Sequence, residues 1–188
     1  MSNILREQIE RIVSLTDEEY TFALSHFSSK KFKKHQIIIR EGEYVHNDYF
    51  LLSGLMKASH INPDGKEHII QFAMQEWWIT DPQAYHNETT ATLQVDCLEE
   101  SDTLYITLEN REKLCRDLRK MEYFFRKKTT AGYIALQRRI LCLISGTAKE
   151  RYEDLLKQYP GLFQRVPKSL IASYLGVTRE TLSRLASA

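Results

Sequence analysis

One periodic pattern in the second half of the chain places the strongest constraint on its fold. Apolar and small residues recur within a basic stretch at steps of three or four, at Leu118, Met121, Phe125, Thr129, Gly132, Leu136, Ile140 and Leu143. This spacing predicts one helix over about residues 114–147, which would span roughly 50 Å at ~1.5 Å per residue. A small barrel cannot cover such a stripe, so we predict a parallel homodimer with its coiled-coil seam along the stripe up to Ile140. The alternative is a helix that packs against its own domains.

Short apolar runs bounded by turn residues precede this helix. They lie at residues 36–39, 49–52, 55–58, 67–72, 91–97 and 101–108. The Asn-Pro-Asp-Gly turn at residues 62–65 predicts a hairpin between two of them. Because no long helices alternate with these strands, an antiparallel barrel or jelly roll is favoured over a doubly wound sheet. The first thirty residues are predicted to be helical, with a capping box from Thr16 to Glu19, which makes the whole chain α+β.

Charge is distributed very unevenly along the chain. Residues 1–110 carry 9 Lys and Arg against 18 Asp and Glu, whereas residues 111–188 carry 17 against 7. The near-neutral total therefore hides an acidic half and a basic half. Such a split indicates that the C-terminal half meets a polyanion. The alternative is a basic helix face that is only solvated.

Residues 167–185 are typical of two helices joined by a tight turn. Pro167 suits a first helical turn, Gly176 supplies a permissive backbone at the turn, and Thr178 can cap the second helix. Such a helix-turn-helix presents the polar start of its second helix to the DNA major groove. The predicted DNA contacts are Thr178, Arg179, Glu180, Thr181, Ser183 and Arg184, with Lys168 and Ser169 on the first helix. The alternative is a helical hairpin with a solvated polar face.

Taken together, these features resemble the Crp/Fnr superfamily of bacterial transcription regulators. The sequence Leu-Gly-Val-Thr-Arg-Glu-Thr-Leu-Ser-Arg at residues 175–184 is similar to the recognition region of that family. The resemblance implies a cyclic-nucleotide-binding-like β-roll sensor domain over residues 1–112. It further implies a long dimerisation helix over residues 113–148 and a helix-turn-helix domain over residues 149–188.

The resemblance also implies contacts and partners. Base edges would be read by Arg179, Glu180 and Arg184, with Thr181 and Ser183 as supporting contacts. The implied partners are double-stranded DNA and a second copy of the chain, with RNA polymerase as a further candidate. Because the chain ends at Ala188, we expect a helix-turn-helix without the β-wing common in the family.

The stretch that corresponds to the family's ligand cassette departs from the pattern of cyclic-AMP-binding members. In those members an Arg holds the cyclic phosphate. The present chain resembles them less here, because it has no Arg between Arg40 and Arg111. A buried phosphate without a positive partner is poorly compensated, so cyclic AMP is not the predicted effector. An altered pocket for an unknown small molecule would be lined by Trp78, Thr80, Asp81, Thr89, Thr90, Phe124 and Phe125. The alternative is a set of core aromatic residues and a polar loop.

Other chemistry finds little support in the sequence. The six histidines show no HxH or HExxH spacing, and the three cysteines form no CxxC pair, so we predict no metal site, no certain cofactor and no enzyme. The start of the chain lacks a signal-peptide pattern and no stretch approaches the ~20 apolar residues of a membrane span. We therefore expect a cytoplasmic protein without a membrane partner. The competing hypothesis is a small-molecule-binding or catalytic jelly roll whose C-terminal helices only mediate association.

Overall fold

The computed structural model describes residues 3–186 of the chain. The N-terminal part holds two short helices, eight strands and a third helix between strands. These are α1 (Ile4–Glu10), α2 (Asp17–Leu24), β1 (Ser28–Phe32), β2 (Ile37–Ile39), β3 (Asn47–Ser53), β4 (Met56–Ile61), β5 (Glu67–Ala73), β6 (Trp78–Ile79), α3 (Pro82–Asn87), β7 (Gln94–Cys97) and β8 (Ser101–Thr107). Six helices follow, namely α4 (Leu108–Asp117), α5 (Arg119–Ser145), α6 (Ala148–Gln158), α7 (Leu162–Arg165), α8 (Lys168–Leu175) and α9 (Arg179–Ala186).

The strands form two four-stranded antiparallel sheets, in the orders β1-β8-β3-β6 and β2-β7-β4-β5. Their inner faces enclose a core that includes Tyr49, Leu51, Met56 and Val95. The α+β class with an antiparallel β-roll is therefore confirmed. The predicted hairpin is present, since β4 pairs with β5 from Met56 opposite Ala73 to Ile61 opposite Glu67.

Two local details bear on the sequence predictions. The start of β7 differs from its prediction, and the capping box before α2 matches. The strand predicted from residue 91 begins only at Gln94, because the amides of Thr92 and Leu93 donate to the Asp81 carboxylate at 2.7 and 3.1 Å instead of to a neighbouring strand. The capping box before α2 is confirmed. The Thr16 hydroxyl accepts from the amide of Glu19 at 3.2 Å, and the Glu19 carboxylate accepts from the amide of Thr16 at 2.8 Å.

The long helix differs from the prediction in one important respect. A break at Leu118, with φ −133° and ψ 93°, separates α4 from the 27-residue α5. Met121 and Phe125 are buried in a second core with Phe50 of the roll, and Leu118 packs against that core. The prediction that Met121 and Phe125 form part of a dimer seam is therefore wrong, because the outer face of the roll already covers them, whereas Leu118 is only partly buried.

The four C-terminal helices pack on the outer face of the β2-β7-β4-β5 sheet. Their core is shared with the roll, which contributes Ile69 and Phe72 of β5, Leu55 just before β4 and Leu98 just after β7. Helices α6 and α7 were not predicted, although the capping box from Thr147 to Glu150 marks the start of α6. Across residues 3–186, every helix is too short or too polar to cross a bilayer.

Candidate nucleic-acid interface

The turn between α8 and α9 is built by local backbone chemistry. Gly176 ends α8 with φ +67°, a left-handed conformation that a side chain disfavours. The amide of Val177 returns to the Ala172 carbonyl at 3.0 Å, which closes the helix end. The Thr178 hydroxyl then accepts from the amide of Thr181 at 3.2 Å and caps α9. The predicted helix-turn-helix geometry is thus present in the structure.

A small apolar core fixes the two helices against each other. Ile171, Ala172, Leu175 and Leu182 are all buried in the same cluster. The small side chain of Ala172 lies there with 3% exposure, and this allows close approach of α9. The core leaves the other face of α9 to solvent.

The predicted contact residues lie on this solvent face and at the start of α8. Thr181 is half-buried, and the exposed members are Thr178, Arg179, Glu180, Ser183, Arg184, Lys168 and Ser169. The backbone N–H of Glu180 and the hydroxyl of Thr178 lower the pKa of the Glu180 carboxyl, so it is an acceptor at neutral pH. The surface thus offers two guanidinium groups as donors, one carboxylate as an acceptor, and several hydroxyls.

Two arginines that the sequence analysis did not single out hold the C-terminal end of α8. Arg139 of α5 donates to the Tyr174 carbonyl at 2.9 Å, and Arg151 of α6 donates to the Leu175 carbonyl at 2.9 Å. Cations are favourable near the C-terminus of a helix, where carbonyl groups lack helical partners. No sequence motif marks these two residues, because their partners are backbone atoms distant in sequence.

The second half of the α5 stripe is uncovered. Leu136, Ile140 and Leu143 are 50%, 47% and 41% exposed, and Tyr133 and Ile144 beside them are 69% and 78% exposed. Thr129 and Gly132 are exposed on the same stripe. An apolar surface of this kind is typical of an interaction site.

The structure divides the residues of the predicted effector pocket between two places. Trp78 packs in the second core with its ring 6.5 Å from Phe124 and 5.6 Å from Phe125. Asp81 is 1% exposed and caps α3 through the amide of Ala84 at 3.1 Å.

The three threonines of the predicted pocket lie apart from these aromatic rings. The Thr80 hydroxyl donates to the Asn47 carbonyl at 2.9 Å. Thr89 and Thr90 are exposed. The aromatic members therefore lie in a core, and the polar members lie in or beside the loops that flank α3.

Histidine and cysteine do not gather with carboxylates in the described part of the chain. No group of three such residues within residues 3–186 could hold a metal ion. His60 and His68 are opposite each other in the β4–β5 hairpin, and a ring nitrogen of His60 lies 3.3 Å from the Thr92 carbonyl.

Comparisons with known proteins agree with this architecture. The family model of the cyclic nucleotide-binding domain matches residues 29–118. The structure is similar to FixK2 from Bradyrhizobium japonicum, with a TM-score of 0.74 and 18% identity over 86% of this chain and 83% of that one. It is also similar to the c-di-GMP-responsive global regulator CLP from Xanthomonas campestris, with a TM-score of 0.74 and 14% identity over 92% and 90% of the two chains.

A third similar structure is a protein from Eubacterium rectale assigned to the Crp/Fnr family of transcriptional regulators. Its TM-score is 0.69, with 13% identity over 92% of this chain and 82% of that one. No curated protein sequence matches the chain significantly. Identities this low show a shared fold, which runs through the roll, the long helix and the C-terminal helices.

Proposed function

We propose that this chain, which shares the fold of the Crp/Fnr transcription regulators and resembles them in its recognition motif, binds DNA as a transcription regulator. The main support for this proposal is the solvent face of α9. Arg179, Glu180 and Arg184 are exposed there, and the opposite face of the helix is buried. The surrounding half of the chain is basic. Phosphate attraction and base-edge recognition would thus be combined on one surface.

Each side chain has a defined role in this proposal. An Arg can donate two hydrogen bonds to the O6 and N7 of a guanine, and a Glu can accept from the amino group of a cytosine. Arg179 and Glu180 in the first turn of α9 would read bases in this way. Lys168 and Ser169 at the start of α8 would contact phosphate, where helix N–H groups also favour an anion.

The uncovered half of the α5 stripe supports a homodimer. Leu136, Ile140 and Leu143 would meet the same residues of a second copy around a two-fold axis. Two recognition helices related by that axis would bind a two-fold symmetric operator with half-sites about 10 bp apart. RNA polymerase remains a candidate partner of such a complex.

The residues of the roll argue against cyclic AMP as the effector. Cyclic-AMP-responsive members of the superfamily that this chain resembles place a Thr-Ser pair of the long helix against the adenine. This chain has Phe124 and Phe125 at the corresponding positions. Both rings are buried against Trp78. The absence of Arg between Arg40 and Arg111 points the same way. Any effector would act by favouring one arrangement of the dimer over another.

The test begins with selection of bound duplexes from a random DNA pool, followed by affinity measurements on the selected operator. Arg179→Ala should weaken operator binding about 5- to 150-fold, which corresponds to about 1–3 kcal/mol, and should relax preference at one base pair of each half-site. Arg116→Ala is the matched control, because the Arg116 side chain is 75% exposed and lies in α4. It should leave both properties unchanged.

The same measurements separate base contacts from phosphate contacts. Lys168→Ala should weaken binding to all sequences about equally and reduce the salt dependence by about one released counterion per chain. Failure to enrich a palindrome with the wild-type protein would refute the proposal. That result would favour the competing hypothesis, in which the jelly roll is the functional part and the C-terminal helices only mediate association.

A further inference from the structure

The helix-turn-helix is attached to the sensor at the edge of a sheet. Strand β5 is last in the order β2-β7-β4-β5, so one side of its backbone has no partner strand. Ser173 of α8 occupies this side. Its hydroxyl accepts from the Ile69 amide at 3.2 Å and donates to the Glu67 carbonyl at 2.7 Å. One side chain of the DNA-binding helices therefore replaces part of a missing strand.

Arg139 joins three elements at the same place. One guanidinium nitrogen, Nη2, donates to the Ile69 carbonyl of β5 at 3.0 Å and to the Tyr174 carbonyl of α8 at 2.9 Å. The guanidinium also lies 3.5 Å from the centre of the Tyr174 ring. Because Arg139 belongs to α5, it links the long helix, the sensor sheet and the first helix of the DNA-binding pair.

Further contacts surround this junction. The rings of Phe72 in β5 and Tyr174 in α8 have centres 5.2 Å apart. Arg165 of α7 donates to both oxygens of Glu99 at 3.0 and 2.6 Å and to the Gly54 carbonyl at 2.9 Å. The C-terminal helices are therefore held on the roll at two separate points, through α8 and through α7.

Side-chain contacts connect Glu67 of β5 to the neighbouring strands β4 and β7. Its carboxylate bonds the buried Lys57 ammonium and accepts from the Ser59 hydroxyl at 2.8 Å. The Lys57 ammonium also lies 3.0 Å from the Asp96 carboxylate of β7. The residue whose backbone carbonyl accepts from Ser173 is thus tied to β4 and β7, which holds the docking point in place.

The covalent connection alone would not fix the orientation of α9. The only chain link from α5 to the DNA-binding helices passes through Gly146 and Thr147, which have extended backbone. A rigid unit attached at one such joint can swing about it. A second attachment, at β5, removes that freedom.

We propose that Arg139 and Ser173 are positioning residues that lock the helix-turn-helix onto the edge of β5. The lock sets the angle between α9 and the long helix, and so sets the half-site spacing that a dimer accepts. This inference rests on the proposed function for its DNA readout and on the structure alone for the docking.

The first arm of the test measures spacing. Full-length wild-type protein, Arg139→Lys and Ser173→Ala are titrated with operators whose half-site separation changes in single base-pair steps. Lys keeps the charge but lacks the planar fork that bonds two carbonyls while stacking on a ring. We expect wild type to prefer one spacing about tenfold, both variants to lose this preference to about twofold, and all three to bind an isolated half-site equally.

The second arm needs no DNA. Hydrogen exchange of the β5 peptide reports the Ile69 amide, whose acceptor is the Ser173 hydroxyl. Exchange should rise about tenfold in Ser173→Ala and in Arg139→Lys at unchanged circular dichroism. Arg138→Lys is the matched control, since Arg138 is exposed on the neighbouring position of α5, and it should match wild type in both arms.

The outcomes are separable. If wild type selects an operator but both variants keep its spacing profile, or if β5 exchange is unchanged in both, the lock is refuted while the proposed function stands. If wild type selects no operator, the proposed function fails and the spacing claim fails with it, and the docking is then decided by the exchange data alone.

Discussion

The carboxyl of Asp48 makes a quantitative prediction about stability and pH. Asp48 is 7% exposed in β3, and its oxygen Oδ1 is buried without a hydrogen-bond partner within the described residues. Its other oxygen lies 3.4 Å from the guanidinium of Arg111, which itself lies 4.3 Å from the centre of the Phe125 ring. Burial raises the pKa of Asp48 from 3.8 to about 6, against the opposing effects of Arg111 and the Tyr49 amide.

Proton linkage gives the direction in which the contribution of Asp48 to stability changes with pH. Because the pKa is higher in the folded state than in the unfolded chain, folding takes up a proton between the two values. The contribution of Asp48 to the free energy of unfolding is therefore greatest below about pH 4 and is lost as pH rises through about 6. A shift of about two units corresponds to at most about 3 kcal/mol between pH 4 and pH 8.

The perturbation is Asp48→Asn, which keeps the shape of the side chain and removes its titration. Urea unfolding followed by circular dichroism at pH 4, 5, 6, 7 and 8 gives the free energy of unfolding of both proteins. Groups with lowered pKa values, such as the carboxyls of Glu19 and Glu99, act in the opposite direction but cancel in the difference. His86, whose pKa is lowered by burial, is also present in both proteins.

The stability of the variant relative to wild type should rise by up to about 3 kcal/mol from pH 4 to pH 8. Asp64→Asn is the control, because Asp64 is exposed in the hairpin turn, and its profile should follow that of wild type. A difference between Asp48→Asn and wild type that stays constant to within about 0.5 kcal/mol would refute the reasoning. It would mean that Asp48 is solvated or better paired than its surroundings indicate.

Two further predictions follow from close contacts and from exposed surface. A Cβ at Gly54 would lie 2.5 Å from the Glu100 carbonyl oxygen, so Gly54→Ala should lower the free energy of unfolding by about 3 kcal/mol or more, whereas Gly42→Ala, with similar positive φ and open space, should cost about 1 kcal/mol. Equal losses in urea unfolding would contradict this. In the proposed dimer, Leu136→Asp should raise the dissociation constant about 100-fold or more in sedimentation equilibrium, while Ala131→Asp on another face of α5 should not, and equal effects would contradict the proposed seam.

The sequence predicted those parts of the fold that local chemistry determines. The β4–β5 turn at residues 62–65, the capping box at Thr16 and the left-handed turn at Gly176 each depend on a few adjacent residues. The capping box at Thr147 was an equally local signal for α6. Asp81 before Pro82 was such a signal too, because an Asp followed by Pro is typical of a helix start, and this explains its burial without a ligand.

Features that depend on distant partners were not predictable in this way. The α5 stripe has one period throughout, yet Met121 and Phe125 face the roll while Leu136 and Ile140 face solvent. Periodicity shows that a face is apolar and does not show which surface covers it. The same limit applies to Arg139, whose two acceptors are carbonyls at positions 69 and 174.

The contacts between the basic C-terminal helices and the acidic N-terminal half involve few charged side chains. Between α6–α9 and the two sheets, the ion pair found within residues 3–186 is Arg165 with Glu99. The remaining polar docking contacts of Ser173 and Arg139 are to backbone groups of β5. Docking therefore uses none of Lys168, Arg179 and Arg184, which stay exposed on the solvent side. Because salt screens exposed charges more strongly than short hydrogen bonds to backbone groups, added salt should weaken the proposed contact with DNA while α8 stays docked on β5.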